Sequence, residues 1–410
     1  MPSTYFDMTA ADAALKQIYP DGKVPEDLVY KKNPLVALVN KFTEFGGELM
    51  KVPVIIGTSQ GRSASFANAQ ANQTAANIAA FLLTTKDDYS IATITNKAMM
   101  AAKTDAMAFV RNSKVVIDGA MRVAVLSQAS GGYRDGTGTI GQINASGLST
   151  GVITLMNLPD VVQFEIGQTL QCNTTSGGTP RAALGYVIAV DRSAGTVTVS
   201  TSQGGAAGTP TSWGASEYLL VQGDNNAKPS GLAAWLPTTA PTSSDNFYGV
   251  NRSADPVRLA GVRYDASAQS IEEGLVDGLM LGMREGADIS HYFGNYATYG
   301  ALEKALGSKV QYIDLEGPAK IAFRGIRLNG GDREVNVIPD RNCPSLRGYG
   351  LQLDTWTLGS LGDAPQILRY GDGLEMLRVS TADASEVRIG SYSNWYTTAP
   401  GWNVAFTMAQ

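Results

Sequence analysis

A chain of 410 residues is long enough for two or three domains. With 44% hydrophobic and 17% charged residues it reads as a folded protein, which excludes intrinsic disorder. Its 32 basic residues against 37 acidic ones leave a net charge of −5, which excludes the clustered positive surface of a nucleic-acid grip, and no apolar run reaches the length of a membrane helix.

The 45 glycines, set among many Ser and Thr, point to a β-rich chain with many turns and a few helices. MPSTYFDMTAADAALKQIYP has neither a basic start nor an apolar core, so it is not expected to be a signal peptide. Cys172 and Cys343 lie far apart without a C-x-x-C, so free buried thiols are expected and no disulfide framework. The sequons at Asn72, Asn144, Asn173 and Asn251 read as chance matches.

Residues 1–50 scatter apolar side chains (Tyr5, Phe6, Leu15, Ile18, Tyr19, Leu28, Leu35, Leu38) between Pro20, Pro25 and Pro34. Such a segment is too broken to build its own core and reads as an arm that packs along another surface. A short strand is expected over 51–57 and a second extended region over 81–95. The polar stretch between them, GRSASFANAQANQTAANIA, cannot bury enough apolar surface to hold itself in place, so it reads as a projecting hairpin or loop.

From Asn96, Met99, Ala102, Ala106, Val110, Ile117, Ala120 and Ala124 recur on one helical face. Roughly 33 residues at 1.5 Å each predict a helix of about 50 Å, weakened a little by Gly119 and needing a sheet or another subunit to lie on. Residues 133–225 contain no lysine and no helical period. GVITLMNL, FEIGQTLQC, LGYVIAV, GTVTVST and EYLLVQG are strand-like, so this block reads as a small all-β barrel or sandwich inserted in the main fold.

After Gly231 the pattern is mixed. Ser270 and Glu273 form a capping box before a helix with Ile271, Leu275, Leu279 and Met283 on one face and Glu273, Asp277 and Arg284 on another. A second helix, residues 296–306, stops at Gly307. IAFRGIRL, REVNVIP, YGLQLDTW, LEMLRVS and WNVAFTM follow as strand-like segments.

Several motifs imitate catalytic sites. Gly57-Thr58-Ser59-Gln60-Gly61 has the spacing of a hydrolase nucleophile elbow, but such an elbow needs a helix straight after the serine. GRSASFANAQ offers no apolar helical face, and the one histidine, His291, is expected at the end of the Ile271 helix, neutralising carbonyls there. A serine hydrolase using Ser59 and His291 is therefore rejected. Gly136-Thr137-Gly138-Thr139-Ile140-Gly141 matches the dinucleotide fingerprint, yet follows a helix and precedes β structure. Zinc arrangements are excluded by one histidine and two distant cysteines. Glu272, Glu273 and Asp277 read as a solvated or subunit-facing helix side, and Arg324, Arg327, Arg333, Arg341 and Arg347 as salt-bridge partners. No catalytic, cofactor-binding or metal-binding residue is assigned, and no enzyme activity or cofactor is expected. An arm, a projecting hairpin and a long helix cannot be stable in an isolated globule, and make sense lying on neighbouring copies.

That order resembles the major capsid protein of tailed double-stranded-DNA bacteriophages, whose fold is shared with herpesvirus capsid floors. KVPVIIGTSQGRSASFANAQAN is similar to the start of the family's extended loop, and KDDYSIATITNKAMMAA with VVIDGAMRVA to its return and spine helix. YRDGTGTIGQI resembles the exit from that helix. GLAAWLP, NRSADPVRLAG, VNVIPDRNCPSLRGYGLQLDTWTLGSLGDAP and SYSNWYTTAPGWNVAF resemble its axial and peripheral domains.

The resemblance implies an α+β capsid fold divided as arm 1–50, extended loop (an intersubunit β-hairpin) 51–95, peripheral domain with spine helix 96–132 and 371–410, inserted β domain 133–225 and axial domain 226–370. It implies hexamers and pentamers of an icosahedral shell enclosing double-stranded DNA without sequence-specific binding. The shell would be a virion component assembled in the bacterial host cytoplasm. Scaffolding, portal and decoration proteins are its implied partners. The inserted block departs from the minimal fold and is expected on the outer surface or bracing neighbours within a capsomer. Without a long charged extension to act as an internal scaffold, a separate scaffolding protein is expected. Some relatives join subunits through a lysine and an asparagine; Lys86, alone between Lys51 and Lys97, does not identify such a pair. A cargo-enclosing bacterial nanocompartment of the same fold is the alternative.

Overall fold

The computed structural model describes residues 33–47, 49–101, 106–306, 312–315, 323–329, 333–369 and 374–409. The first 32 residues of the expected arm, and Gly307, lie outside these. In chain order, helix α1 (Pro34–Leu38) and strand β1 (Asn40–Phe42) precede β2 (Met50–Gly57), the short helix α2 (Phe66–Ala71), β3 (Asn77–Leu83) and β4 (Lys86–Thr95). Helices α3 (Asn96–Ala101) and α4 (Ala106–Gly131) follow. The next block holds β5 (Thr139–Ser149), β6 (Val152–Leu155), β7 (Thr169–Asn173), β8 (Gly185–Asp191), β9 (Thr196–Ser200) and β10 (Tyr218–Val221). Then come α5 (Leu232–Trp235), α6 (Pro256–Ala260), β11 (Val262–Ala266), α7 (Ile271–Arg284), β12 (His291–Gly294) and α8 (Tyr296–Leu306). The chain ends with β13 (Tyr312–Leu315), β14 (Phe323–Asn329), β15 (Glu334–Pro339), β16 (Arg347–Leu351), β17 (Trp356–Ser360), β18 (Gln366–Ile367), β19 (Met376–Arg378), β20 (Ala384–Thr397) and β21 (Val404–Met408).

The extended region expected over 81–95 is two strands with different partners. β3 pairs with β2 from Met50↔Leu83 to Gly57↔Asn77, whereas β4 pairs with β20 over ten residues, Thr95↔Ala384 to Lys86↔Ser393. β20 is the centre of a six-stranded sheet that also holds β17, β18, β19 and, at one edge, β1. Helix α4 lies on this sheet, burying Ile117, Ala120, Met121, Ala124, Val125 and Ala129 at the spacing of a helical stripe. Its 26 residues span roughly 39 Å. Leu35, Val36, Val39 and Phe45 belong to the same core, so this end of the arm is built into the body.

Strands β5 to β10 close into a barrel of order β10-β5-β6-β9-β8-β7. Its interior takes alternate residues, among them Ile143, Ile153, Leu155, Leu170, Val187, Val197, Val199 and Leu219. Closure leaves no unpaired edge, which lets a Gly- and Ser-rich block with short strands stand as a unit.

A second sheet of seven strands runs β11-β21-β16-β12-β15-β14-β13. Helix α7 crosses it on a face of Gly274, Gly278 and Gly282, which meet Ala266, Phe406 and Val404. Ser270 Oγ caps the helix by accepting from the Glu273 N–H and donates its own proton to the Glu273 carboxylate at 2.9 Å. The segment YGLQLDTW is not one strand: β16 ends at Leu351, a 3₁₀ turn spans Leu353–Thr355, and β17 starts at Trp356. The expected boundary at 370/371 does not follow the sheets either. β17 and β18 join β20, while the C-terminal β21 pairs with β11 and β16 in the seven-stranded sheet.

Candidate assembly surfaces

The β2–β3 hairpin is fixed at one end and bare at the other. At its base Val52, Phe81 and Leu83 are buried in the main core. The Phe81 ring meets Trp235 edge-on at 4.9 Å between centroids and Phe247 at 6.1 Å. The Arg252 guanidinium lies 4.1 Å from the centre of the Phe247 ring, held there by Asp245 at 3.0 Å and by the Ala234 carbonyl at 2.8 Å. The Leu82 N–H donates to the Tyr248 carbonyl at 2.9 Å, so the hairpin's return strand is also stitched to this loop.

Beyond the base the cover disappears. Ile55 is 57% exposed, Ile78 63% and Phe66 82%. Helix α2 buries none of its six residues. The loop is closed by reciprocal bonds between Gln60 and Thr74, the Gln60 N–H donating to Thr74 Oγ1 at 3.1 Å and the Thr74 N–H to the Gln60 carbonyl at 2.9 Å. A backbone ordered by its own bonds, with its large apolar groups in solvent, is the form of a surface awaiting a partner. On β4 Tyr89 and Ile91 face outward, as do Val116 and Val123 on α4, at the margin of the stripe that packs on the sheet.

The chain's sequence matches no protein-family model and no curated protein. In structure it is similar to the capsid asymmetric unit of cyanophage A-1(L), with 12% identity, 92% of this chain and 93% of that one covered, and a TM-score of 0.53. It is also similar to the capsid of the myovirus XM1 (7% identity, 92% and 91% covered, TM-score 0.45) and to a holo-encapsulin complex from Synechococcus elongatus (9% identity, 97% and 94% covered, TM-score 0.42). The chain has the tailed-phage major capsid fold.

The β2–β3 hairpin is the element expected as the extended loop, and α4 falls in the stretch expected as the spine helix. The loop places Ser59 in its exposed part, past β2, with no helix directly after it: α2 starts only at Phe66. His291 is not at the end of α7, which stops at Arg284. It opens β12, pairing with Asn336 and Leu351. The hydroxyl beside its ring is that of Ser290, 2.8 Å from Nδ1. Burial, with the nearby Arg333 charge, pulls the imidazole down to about 4, so it is neutral at pH 7 and supplies no charge to helix carbonyls. Ser59 and His291 thus form no pair.

The G-x-G-x-x-G stretch runs into β5 rather than a helix. Gly136 and Gly138 take left-handed conformations (φ +86° and +81°) at the barrel's neck, and Gly141 lets the Phe164 ring pass. Glu273 serves the helix cap, and Asp277 accepts from the Tyr264 hydroxyl at 3.3 Å. Arg327 pairs with Glu334 at 2.6 Å and Arg333 with Asp288, while Arg341 Nη2 reaches the Val162 carbonyl at 3.5 Å. Among the described residues no three His, Cys, Asp or Glu side chains gather as metal ligands. Cys343 is buried in the main core, and Cys172 inside the barrel, where its thiol donates to Glu217 Oε2 at 3.0 Å. Sequence reasoning missed the aromatic clamp of Phe81, Trp235 and Phe247: Phe81 is 154 positions from Trp235 in the chain (235 − 81), and no local period links them.

Proposed function

We propose that this chain is the major capsid protein of a tailed bacteriophage, a structural subunit with no catalytic role. Copies form hexamers and pentamers of an icosahedral shell that encloses double-stranded DNA in the virion. The observation that carries this reading is the extended loop, clamped at its base by Phe81 and bare at Phe66, Ile55 and Ile78. Its exposed apolar groups are covered when it lies on a neighbouring copy. Because the loop and the surface it covers are different patches, the contact is heterologous, the kind that builds rings when its rotation closes, as capsomers require. The net charge of −5 suits a wall that must release packaged DNA. Scaffolding, portal and decoration proteins are partners in this proposal, with assembly in the host cytoplasm.

Deleting residues 62–79 tests the reading. The expected result is a soluble subunit, folded by circular dichroism, that forms no shells by negative-stain electron microscopy under conditions where the full chain, with its scaffold, forms closed particles. Normal shells from the deletion variant would overturn it. Particles filled with protein cargo instead of DNA would favour the nanocompartment.

A further inference from the structure

The barrel joins the body through two crossing segments, residues 131–138 leaving and 222–231 returning. The Asn226 N–H donates to the Thr137 carbonyl at 3.1 Å and the Leu232 N–H to the Gly132 carbonyl at 2.8 Å. A side chain at Gly138 would strike the Asp224 backbone, and one at Gly231 the carbonyls of Gly131 and Gly132. The neck is therefore narrow and closely packed.

Where the neck meets the body lies a polar cluster drawn from three elements. Lys228 Nζ, on the returning segment, is 2.8 Å from Asp88 Oδ1 on β4 and 3.2 Å from Asp224 Oδ2 on its own segment. It also donates to Ser127 Oγ on α4 at 2.8 Å, and that hydroxyl donates to Asp88 Oδ2 at 2.5 Å. The charged side chains are only 14–22% exposed. Lys86, the one cation on β4, donates to the Asn226 carbonyl at 3.4 Å and so grips the neck by its backbone. Asp135 on the outgoing segment accepts from the Thr137 N–H and hydroxyl. Two carboxylates thus share one ammonium in a mostly buried site, a surplus of one negative charge. Asp88 lies on β4, paired with β20, so the same cluster ties the barrel to the six-stranded sheet and to α4.

We propose that Asp88, Asp224, Lys228 and Ser127 form a proton-operated latch, closed on the body when the surplus charge is protonated and released when both carboxylates are ionised, freeing the barrel to swing relative to the body. Burial, reinforced by the Asp88 carboxylate and opposed by Lys228, pushes the Asp224 carboxyl up to about 6. Burial works against the Lys228 charge, but Asp88 and Asp224 outweigh it and raise its pKa. A closed neck takes its proton near pH 6, and an opened, hydrated neck nearer the ordinary 3.8, so acid favours closure. Between pH 5 and 7.5 the opening equilibrium shifts about tenfold toward the open neck.

Amide hydrogen exchange of the unassembled full-length chain, read on peptides spanning 86–95 and 222–231 and corrected for intrinsic rates, tests the latch. Protection of both peptides is expected to fall about tenfold between pH 5 and 7.5. Asp224→Asn removes the surplus charge, so its neck should stay protected and pH-independent. Lys228→Met leaves two carboxylates unpaired, so its neck should be open at pH 7.5 and recover on acidification. Flat wild-type protection, or an Asp224→Asn neck as open as that of Lys228→Met, would overturn the proposal. Should Lys228→Met fail to fold, the wild type and Asp224→Asn decide alone.

Discussion

A pair of glycine-to-alanine substitutions separates helix propensity from packing. Each gains about 1 kcal/mol in helix propensity. At Gly119, within α4, a Cβ would meet nothing within 4 Å, so that gain should appear in full. At Gly278, within α7, the Cβ would sit 2.8 Å from Phe406 Cζ, 3.0 Å from Cδ1 and closer still to Cε1. Phe406 is fully buried and wedged between Tyr292 and Tyr264, with centroids 5.4 and 6.2 Å away, so the ring has no room to yield. Ordinary contact starts near 3.4 Å, so even the Cζ contact falls short by 0.6 Å (3.4 − 2.8). Overpacking of this kind costs about 1–3 kcal/mol, which exceeds the propensity gain. Calorimetry of the unassembled subunit should show the Gly119→Ala midpoint rising by roughly 1–2 °C and the Gly278→Ala midpoint falling by a similar or larger amount. A Gly278→Ala melting point at or above wild type would refute the reasoning, because the helix term would then have won.

Phe81→Ala should cost about 3–5 kcal/mol locally, as it empties the clamp between Trp235 and Phe247. Protease cleavage within residues 58–76 should stay unchanged while cleavage at 50–57 and 77–83 becomes faster; unaltered cleavage there would mean the clamp does not hold the loop. His291→Phe keeps the stack on Phe293 and removes a group that resists protonation in the fold. Because the folded value, about 4, lies below the ordinary 6.5, the stabilisation is complete above pH 6.5 and lost as pH falls toward 4, about 3 kcal/mol at most. The variant should therefore lose less stability than wild type between pH 7 and 4 in urea titrations, and parallel losses would refute this.

The sequence was legible where burial is one-sided and local. The stripe Ile117, Ala120 and Ala124, the capped helix at Ser270, and the alternation in β9 each follow from a period that one stretch of chain carries. It was opaque where burial is two-sided. β20, the central strand of its sheet, reads ASEVRIGSYSNWYT, with Ser391, Ser393, Asn394 and Thr397 as buried as its apolar residues. Asn394 earns its place by bonds to the Thr84 carbonyl, the Tyr248 hydroxyl and the Ser230 N–H, partners 146 to 310 positions away. No window of ten residues contains that information. The decoys had the opposite defect. GTSQG and GTGTIG carry real spacing, but their glycines serve a loop and a neck, so only the elements around them decide their meaning.

Two proton sensors in the described chain, His291 and Asp224, pull in opposite directions. His291 removes stability from the fold as pH falls from 6.5 toward 4, whereas Asp224 adds stability as pH falls through about 6 toward 3.8. Their windows overlap, so a melting point that barely moves between pH 6.5 and 4 does not mean that neither group titrates. The variants resolve the sum. Without His291 the remaining slope should turn toward greater stability in acid, and without Asp224 it should steepen toward acid loss. The sites also differ in what they hold: His291 sits in the middle of the seven-stranded sheet, while Asp224 sits at the barrel's neck. A local opening at the neck is invisible to a probe of the whole fold. For that reason the latch is read by exchange at residues 222–231, because a global acid titration sums both sites and does not single out opening at the neck.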